Sequence, residues 1–263
     1  MWWMVLAQAQ ADMAFTTGTT CGTPQLGSTM PADGDTDVLP DAVITIVHEV
    51  MDGTRACGGG FFEGELYGET LGPVPFVLSA DAAQLVFTLT PDEPLVVGET
   101  YRVEGTASGN PVNLRFSVGE GGLEMTEPPS EVLLDANVRC GAFSFTTLDH
   151  TVRFDRPRRG LLQTQVLTDG NSSGWETRAA IDGRTEYVGS TDVLGGGHEY
   201  CLDVRLVDEV GEIVWEEDGG CVSTDPCPPE KRSGGGCSTL GGKVGAPWLG
   251  VLLVSLTRRR KTC

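Results

Sequence analysis

The chain reads as all-β: two tandem β-sandwiches followed by a C-terminal membrane-sorting segment. Four observations predict this. Short runs rich in Val, Ile, Phe and Thr sit between Gly, Pro and Asp clusters, with no long helical periodicity. Glycine supplies 36 of 263 residues, about twice the usual ~7%. The pattern L-x-x-G-x-x-Y occurs at residues 95–101 and again 99 residues later at 194–200. That spacing is one sandwich of ~100 residues, and it fits a tyrosine near the start of a strand turning its hydroxyl back onto the preceding crossover. In the last thirty residues a lone Cys237 precedes a Gly-rich spacer, an apolar run at 246–256 and the cluster Arg258, Arg259, Arg260 and Lys261. Such a label is read by membrane machinery and stands outside the fold.

The elements follow in chain order. Residues 1–11 read as a short or truncated signal peptide, with Trp2, Trp3, Val5 and Leu6 ahead of an A-x-A cleavage signature ending at Ala11. A lipoprotein reading of Cys21 fails, because Thr20 precedes it and Gly18 stands three before it. The first sandwich is expected over 25–119. It opens with Pro31, Gly34, Thr36 and Val38 in the spacing P-x-x-G-x-T-x-V. Strands follow at 42–47, 85–91, 101–103 and 114–116. Residues 120–129 form a Gly, Glu and Pro linker. The second sandwich is expected over 130–224, with strands at 142–147, 151–154, 161–167, 177–181, 200–207 and 212–216. Residues 225–236 are a Pro/Gly stalk, and 237–263 are the tail. The twelve residues 246–257 make ~18 Å of helix, short of the ~20 apolar residues a bilayer core requires. A sorting signal or anchor therefore fits better than a standard span.

Charge is split between body and tail. Up to Asp225 the chain carries eleven arginines, no lysine and 36 acidic residues, a formal charge of −25. That excludes nucleic acid as a partner, since phosphate neutralisation needs a basic patch. The surface reads as a solubilising coat rather than a cation-binding or salt-adapted one.

Eight cysteines in an exported chain point to disulfides. With no C-x-x-C and no clustered His, metal is not expected, and neither is any cofactor. Along 200–207 the apolar set is Tyr200, Leu202, Val204 and Leu206, so Cys201 shares the solvent parity of Asp203 and Arg205. Its expected partner is Cys221, as an outward clip across the final hairpin. Cys140 then pairs with Cys227 by elimination, and Cys21 with Cys57. Hairpin counting from a two-residue turn misses the Cys201–Cys221 pairing by about three residues, so a longer loop or a bulge near Gly219 and Gly220 must absorb the difference.

Several short motifs have the outline of a catalytic or metal-binding pattern. Gly170, Ser172 and Gly174 match G-x-S-x-G, but the flanks read as a loop instead of the strand and helix a nucleophile elbow needs. His48-Glu49 and His198-Glu199 begin like H-E-x-x-H and lack the second His. His150 or His198 would have to converge on a hydroxyl to make a hydrolase. Asp33, Asp35 and Asp37 alternate like calcium ligands, yet the loop lacks the Gly and Glu of an EF-hand and reads as a solvated turn. No enzyme is expected.

Three resemblances add to this reading. Cys237, the apolar run and the Arg cluster resemble the MYXO-CTERM sorting tail of deltaproteobacterial surface proteins; Cys263 after the cluster departs from it. The resemblance implies cleavage by a sorting protease and surface attachment through Cys237. The P-x-x-G-x-T-x-V opening, the L-x-F-x-x-x-P strand at 85–91 and L-x-x-G-x-x-Y resemble the bacterial Ig-like domain of S-layer and surface proteins, which implies a display module. Residues 200–211 resemble the F strand and F–G turn of fibronectin type III domains. The function expected is an exported, surface-anchored, non-catalytic display, adhesion or structural module at the outer envelope of a Gram-negative bacterium. Its partner would be an envelope or extracellular protein or polysaccharide, with the membrane reached through the tail. The alternative is a secreted carbohydrate-binding or enzyme-accessory module. Aromatics gathered on one sheet face would favour that; Phe61, Phe62, Tyr67 and Trp175 are the candidates.

Overall fold

The computed structural model describes residues 21–50, 56, 58–141 and 144–228. Ala11, Cys57, Cys237 and the whole tail lie outside them. The strands are β1 (Pro24–Met30), β2 (Ile44–Val50), β3 (Phe62–Gly68), β4 (Gly72–Val74), β5 (Phe76–Ala80), β6 (Val86–Pro91), β7 (Thr100–Ala107) and β8 (Asn110–Ser117). Then come β9 (Glu131–Arg139), β10 (Phe145–Arg153), β11 (Leu161–Thr168), β12 (Asn171–Ser172), β13 (Glu176–Ala180), β14 (Glu186–Leu194), β15 (Glu199–Val207) and β16 (Ile213–Ser223).

Strands β1 to β8 make two antiparallel sheets, ordered β1-β2-β6-β5 and β4-β3-β7-β8. This is the A-B-E-D and C′-C-F-G arrangement of an immunoglobulin-type sandwich. Strands β9 to β16 repeat the theme as β14-β10-β9 and β12-β11-β15-β16, with β13 also paired to β11. Alternation explains each core. In β7, Tyr101 and Val103 point inward with Leu114 and Phe116 of β8, joining Ile44, Ile46 and Leu89 in the first core. In β15, Tyr200, Leu202, Val204 and Leu206 are each 0% exposed and anchor the second core. Each fully buried side chain of this size contributes roughly 1.5–3 kcal/mol.

A third buried cluster joins the two sandwiches. Met30, Val47 and Val86 from the first pack with Leu161, Ala180 and Val207 from the second. Three polar contacts frame it. The Ala180 amide donates to Ser28 Oγ at 3.0 Å. The Val43 amide donates to the Glu209 carbonyl at 2.8 Å. Arg159 Nε lies 2.8 Å and 2.9 Å from the two carboxylate oxygens of Asp35.

The segment expected as a linker is part of this seam. Leu123 packs against both the first core and the seam cluster, and its amide donates to the buried Glu209 carboxylate at 2.8 Å. The Thr126 amide donates to the Arg159 carbonyl at 2.8 Å, and Met125 bridges Arg159. The Gly, Glu and Pro composition of this segment reads as a linker, and these hydrogen bonds also satisfy its backbone groups at the seam.

Candidate functional site

The richest polar surface is the outward face of the sheet built on β11 and β15. Because Tyr200 to Leu206 alternate inward, Asp203 and Arg205 point out, and Gln163 and Gln165 of β11 stand opposite Arg205 and Asp203 in register. Gln165 Nε2 donates to Asp203 Oδ2 at 2.7 Å. Arg205 Nε donates to Gln163 Oε1 at 2.7 Å, and Gln163 Nε2 donates to Thr177 Oγ1 at 3.0 Å. The Arg205 guanidinium also lies 4.2 Å from the Trp175 ring centroid, within cation–π range. Ser172 Oγ donates to Gln165 Oε1 at 2.7 Å, which extends the network to β12. The face offers amide, carboxylate and guanidinium groups to a partner, with no activated nucleophile among them.

Ser172 sits in a two-residue strand, and Gly174 N donates to its Oγ at 2.9 Å. It makes a surface turn. Of the three histidines, His198 is the one with a carboxylate partner: its Nδ1 lies 2.7 Å from Asp169 Oδ2. That bond, with a second from the Glu199 amide, holds the Asp169 carboxyl below its usual range. Thr224 Oγ1 is the neighbouring hydroxyl, but it is committed to the main chain of residues 197 and 198. His48 and His150 are core residues. Burial pushes both below the usual value, His150 to about 4. Among the described residues neither ring nitrogen of His48 has a hydrogen-bond partner within bonding geometry, nor has Nδ1 of His150.

The three alternating aspartates diverge. Asp33 Oδ1 accepts from the Arg115 amide at 2.9 Å. Asp35 accepts from Arg159 and from the Ala32 amide. Asp37 Oδ1 accepts from the Gly121 amide at 3.3 Å. Among the described residues no group of three acidic, His or Cys side chains is placed to hold a metal.

The aromatics do not share a face. Phe62 points into the first core at 6% exposure, contrary to its exposed look in the sequence. A phenylalanine at the first residue of β3 takes the inward parity of Leu66. Phe61 is exposed, Tyr67 lies under Arg102, and Trp175 belongs to the other sandwich.

Cys201 and Cys221 are bonded across β15 and β16, with Cα atoms 4.0 Å apart. Two register shifts, at Cys201/Asp203 and Leu206/Val207, together with the turn closed by Asp208 N to Glu212 O, accommodate the pairing. Cys140 and Cys227 are bonded with Cα atoms 5.5 Å apart. The Cys21–Cys57 expectation rests on a residue outside the described set.

The two tyrosine motifs differ. Tyr101 OH accepts from the Val96 amide at 2.8 Å, a tyrosine corner. Tyr200 OH is buried without a partner among the described residues. The equivalent amide, Gly195 N, donates instead to the Ser144 carbonyl at 3.1 Å. Tyr187, which sequence reasoning passed over, accepts from the Asp182 amide five residues upstream at 3.0 Å. A D-x-x-x-x-Y spacing alone gives no signal for it.

No protein-family model matches the chain, and no curated protein does. Solved structures similar to it include titin domains A168–A170, at 9% identity and TM-score 0.23, covering 78% of this chain and 99% of that one. Chicken CNTN1 FN1–FN3 domains match at 12% identity and TM-score 0.27, covering 77% and 69%. A DUF4785 family protein from Legionella pneumophila matches at 12% identity and TM-score 0.23, covering 72% and 54%. At these scores the fold assignment rests on the strand order itself.

Proposed function

We propose that the chain is an exported, surface-anchored, non-catalytic protein that displays two joined sandwiches at the cell surface, in an adhesive or structural role. The observation that supports this most is where the Cys140–Cys227 and Cys201–Cys221 disulfides lie. Both fasten the C-terminal end of the second sandwich, from which the sequence continues into the stalk and tail. Cys227 ties the residues just after β16 to Cys140 beside β9, and Cys221 ties β16 to the central strand β15. A pull transmitted along the chain from Cys237 would meet these cross-links before it could peel β16 from its sheet. Disulfides also fit an oxidising compartment outside the cytoplasm. The partner is an envelope or extracellular protein or polysaccharide, met by the exposed sheet faces.

The test is removal of residues 237–263 followed by cell fractionation. The truncated body is expected in the medium, and intact mass of the wild-type mature protein should lack Arg258–Lys261. Retention of the truncated body at the surface would show that the tail is not the anchor.

A further inference from the structure

A sheet edge is a row of unpaired backbone groups, and proteins normally guard it with charge, proline, a bulge or brevity. Most described edges here are guarded. β1 has an irregular register around Gly27 and is further covered by the seam bond from Ala180. β4 is three residues long and contains Pro73. β8 carries Arg115, β9 Asp135, β14 Asp192 and β16 Glu216. β12 has two residues, and β13 carries Arg178.

β5 is different. Its sequence, Phe76-Val-Leu-Ser-Ala80, has no charge and no proline, and its pairing with β6 runs without a register shift. Val77 is 61% and Leu78 44% exposed. Which backbone groups are free follows from the ladder. Asp92 N donates to Pro75 O, and Asp81 N donates to Val86 O. In an antiparallel pair the bonded residues alternate, so 75, 77, 79 and 81 bond to β6. The N–H and C=O groups of Phe76, Leu78 and Ala80 therefore point away from β6 along the open edge. Pro91, which has no N–H to give, stands opposite Phe76, where none is needed. Leu78 shares the core-side parity of its partner Leu89, which is fully buried. Leu78 remains half covered, since it stands in the outermost strand of its sheet.

We propose that β5 is a strand-addition site for an extended segment of another protein, apolar at alternate positions and basic at its ends. The backbone row calls for a strand. The exposed part of Leu78 calls for apolar side chains on the core face of that strand. The surrounding charge calls for basic ends: from Thr70 to Tyr101 the charged residues are Asp81, Asp92, Glu93 and Glu99, with no lysine or arginine. Asp81 follows one end of β5, and Asp92 is bonded beside the other. The same charges oppose a second copy of the chain. Isologous antiparallel pairing of β5 with itself would bring Asp81 of one copy towards Asp92 and Glu93 of the other, between bodies that each carry a formal charge of −25. The site does not depend on the anchoring reading, because it can be tested in solution.

The probe is a synthetic peptide of alternating valine and threonine with two lysines at each end, compared with a glutamate-ended twin. Titration calorimetry and amide chemical shifts on the whole chain at low salt give the readout. The lysine-ended peptide is expected to bind, with the largest shifts at Phe76, Leu78 and Ala80. The glutamate-ended twin should bind at least about tenfold more weakly, and added NaCl should weaken the first. Ala80→Pro removes an outward N–H while leaving the β6 ladder intact, and should lower affinity about tenfold or more. Leu78→Lys, which guards the edge with a charge, should do the same. The melting temperature of each variant checks that it is folded. No binding up to about 1 mM peptide, unchanged binding in both folded variants, or shifts centred on another edge would overturn the proposal. So would concentration-dependent dimerisation that Leu78→Lys abolishes, since the occupant would then be a second copy.

Discussion

The two copies of L-x-x-G-x-x-Y should respond oppositely to the same substitution. Tyr101→Phe deletes the acceptor of the Val96 amide, a 2.8 Å bond, and leaves the ring packed against Phe116 at 5.8 Å between centroids. The packing is retained, so the cost is that of one hydrogen bond, about 1 kcal/mol. Tyr200→Phe deletes a hydroxyl that is buried without a partner among the described residues, in a residue of 0% exposure. Burying a hydroxyl unpaired costs free energy, so its removal should be neutral or stabilising by up to ~1 kcal/mol. Urea denaturation followed by far-ultraviolet circular dichroism measures both differences, and amide exchange at Val96 reports the first locally. For an assembly of this size 1 kcal/mol corresponds to roughly 2–4 °C in melting temperature. Equal losses in the two variants would refute the reasoning, because a hidden partner would then hold Tyr200. A neutral Tyr101→Phe would refute it from the other side.

Other outcomes follow from the same geometry. His150 is held at about 4 by burial and then by the Arg178 charge, against 6.5 when free. Between those values the unfolded chain binds a proton that the folded chain does not, so stability is full above about pH 6.5 and falls by up to ~3 kcal/mol as pH drops towards 4. His150→Gln should flatten that slope in denaturation curves taken across the window, and an unchanged slope would remove His150 as its source. Arg159→Ala leaves Asp35, 8% exposed, without its cation. A loss of roughly 1–3 kcal/mol is expected, below the usual buried-pair cost because Arg159 itself is partly solvated. Calorimetry should then split one unfolding transition into two, whereas a single unshifted transition would mean that the Asp35–Arg159 pair is not what couples the sandwiches. Micromolar Ca²⁺ should not raise the melting temperature beyond what NaCl does, since Asp33, Asp35 and Asp37 each serve a different protein donor; a specific shift would show a calcium site.

Local signals in the sequence carried far, and long-range ones did not. Parity along 200–207 placed Tyr200, Leu202, Val204 and Leu206 inside and Cys201 outside, because period-two alternation needs only the strand itself. In β9 Val132, Leu134 and Ala136 alternate, but the strand abuts the Pro/Glu-rich stretch before it, which masks the pattern. β14 is hidden for a clearer physical reason. Its residue opposite His150 is Gly189, where a Cβ would collide with the imidazole ring. The core there is filled from the neighbouring strand, so the apolar pattern of β14 is broken by design of the packing. His150 itself looked like an available base, and burial is what removes it from that role. The sheet-face network also had no sequence signal, because Gln163 and Arg205 meet only through the β11–β15 register.

The opening turn shows most clearly why the seam was invisible. Its alternating aspartates suggested a metal loop, a local reading of a local pattern. Each carboxylate is explained by something distant: Asp33 by the β8 backbone, Asp37 by Gly121, and Asp35 by an arginine 124 residues away in sequence. A turn that must meet β8, the connecting segment and the second sandwich at once needs three acceptors aimed in three directions. Short acidic side chains that accept from backbone amides and from Arg meet that need. The acidity at this place therefore belongs to the joint between sandwiches, while the charge elsewhere on the body fits a solubilising coat. That distinction makes the Asp35–Arg159 pair the more informative target: removing it tests whether the connecting segment and the two sandwiches behave as one cooperative unit.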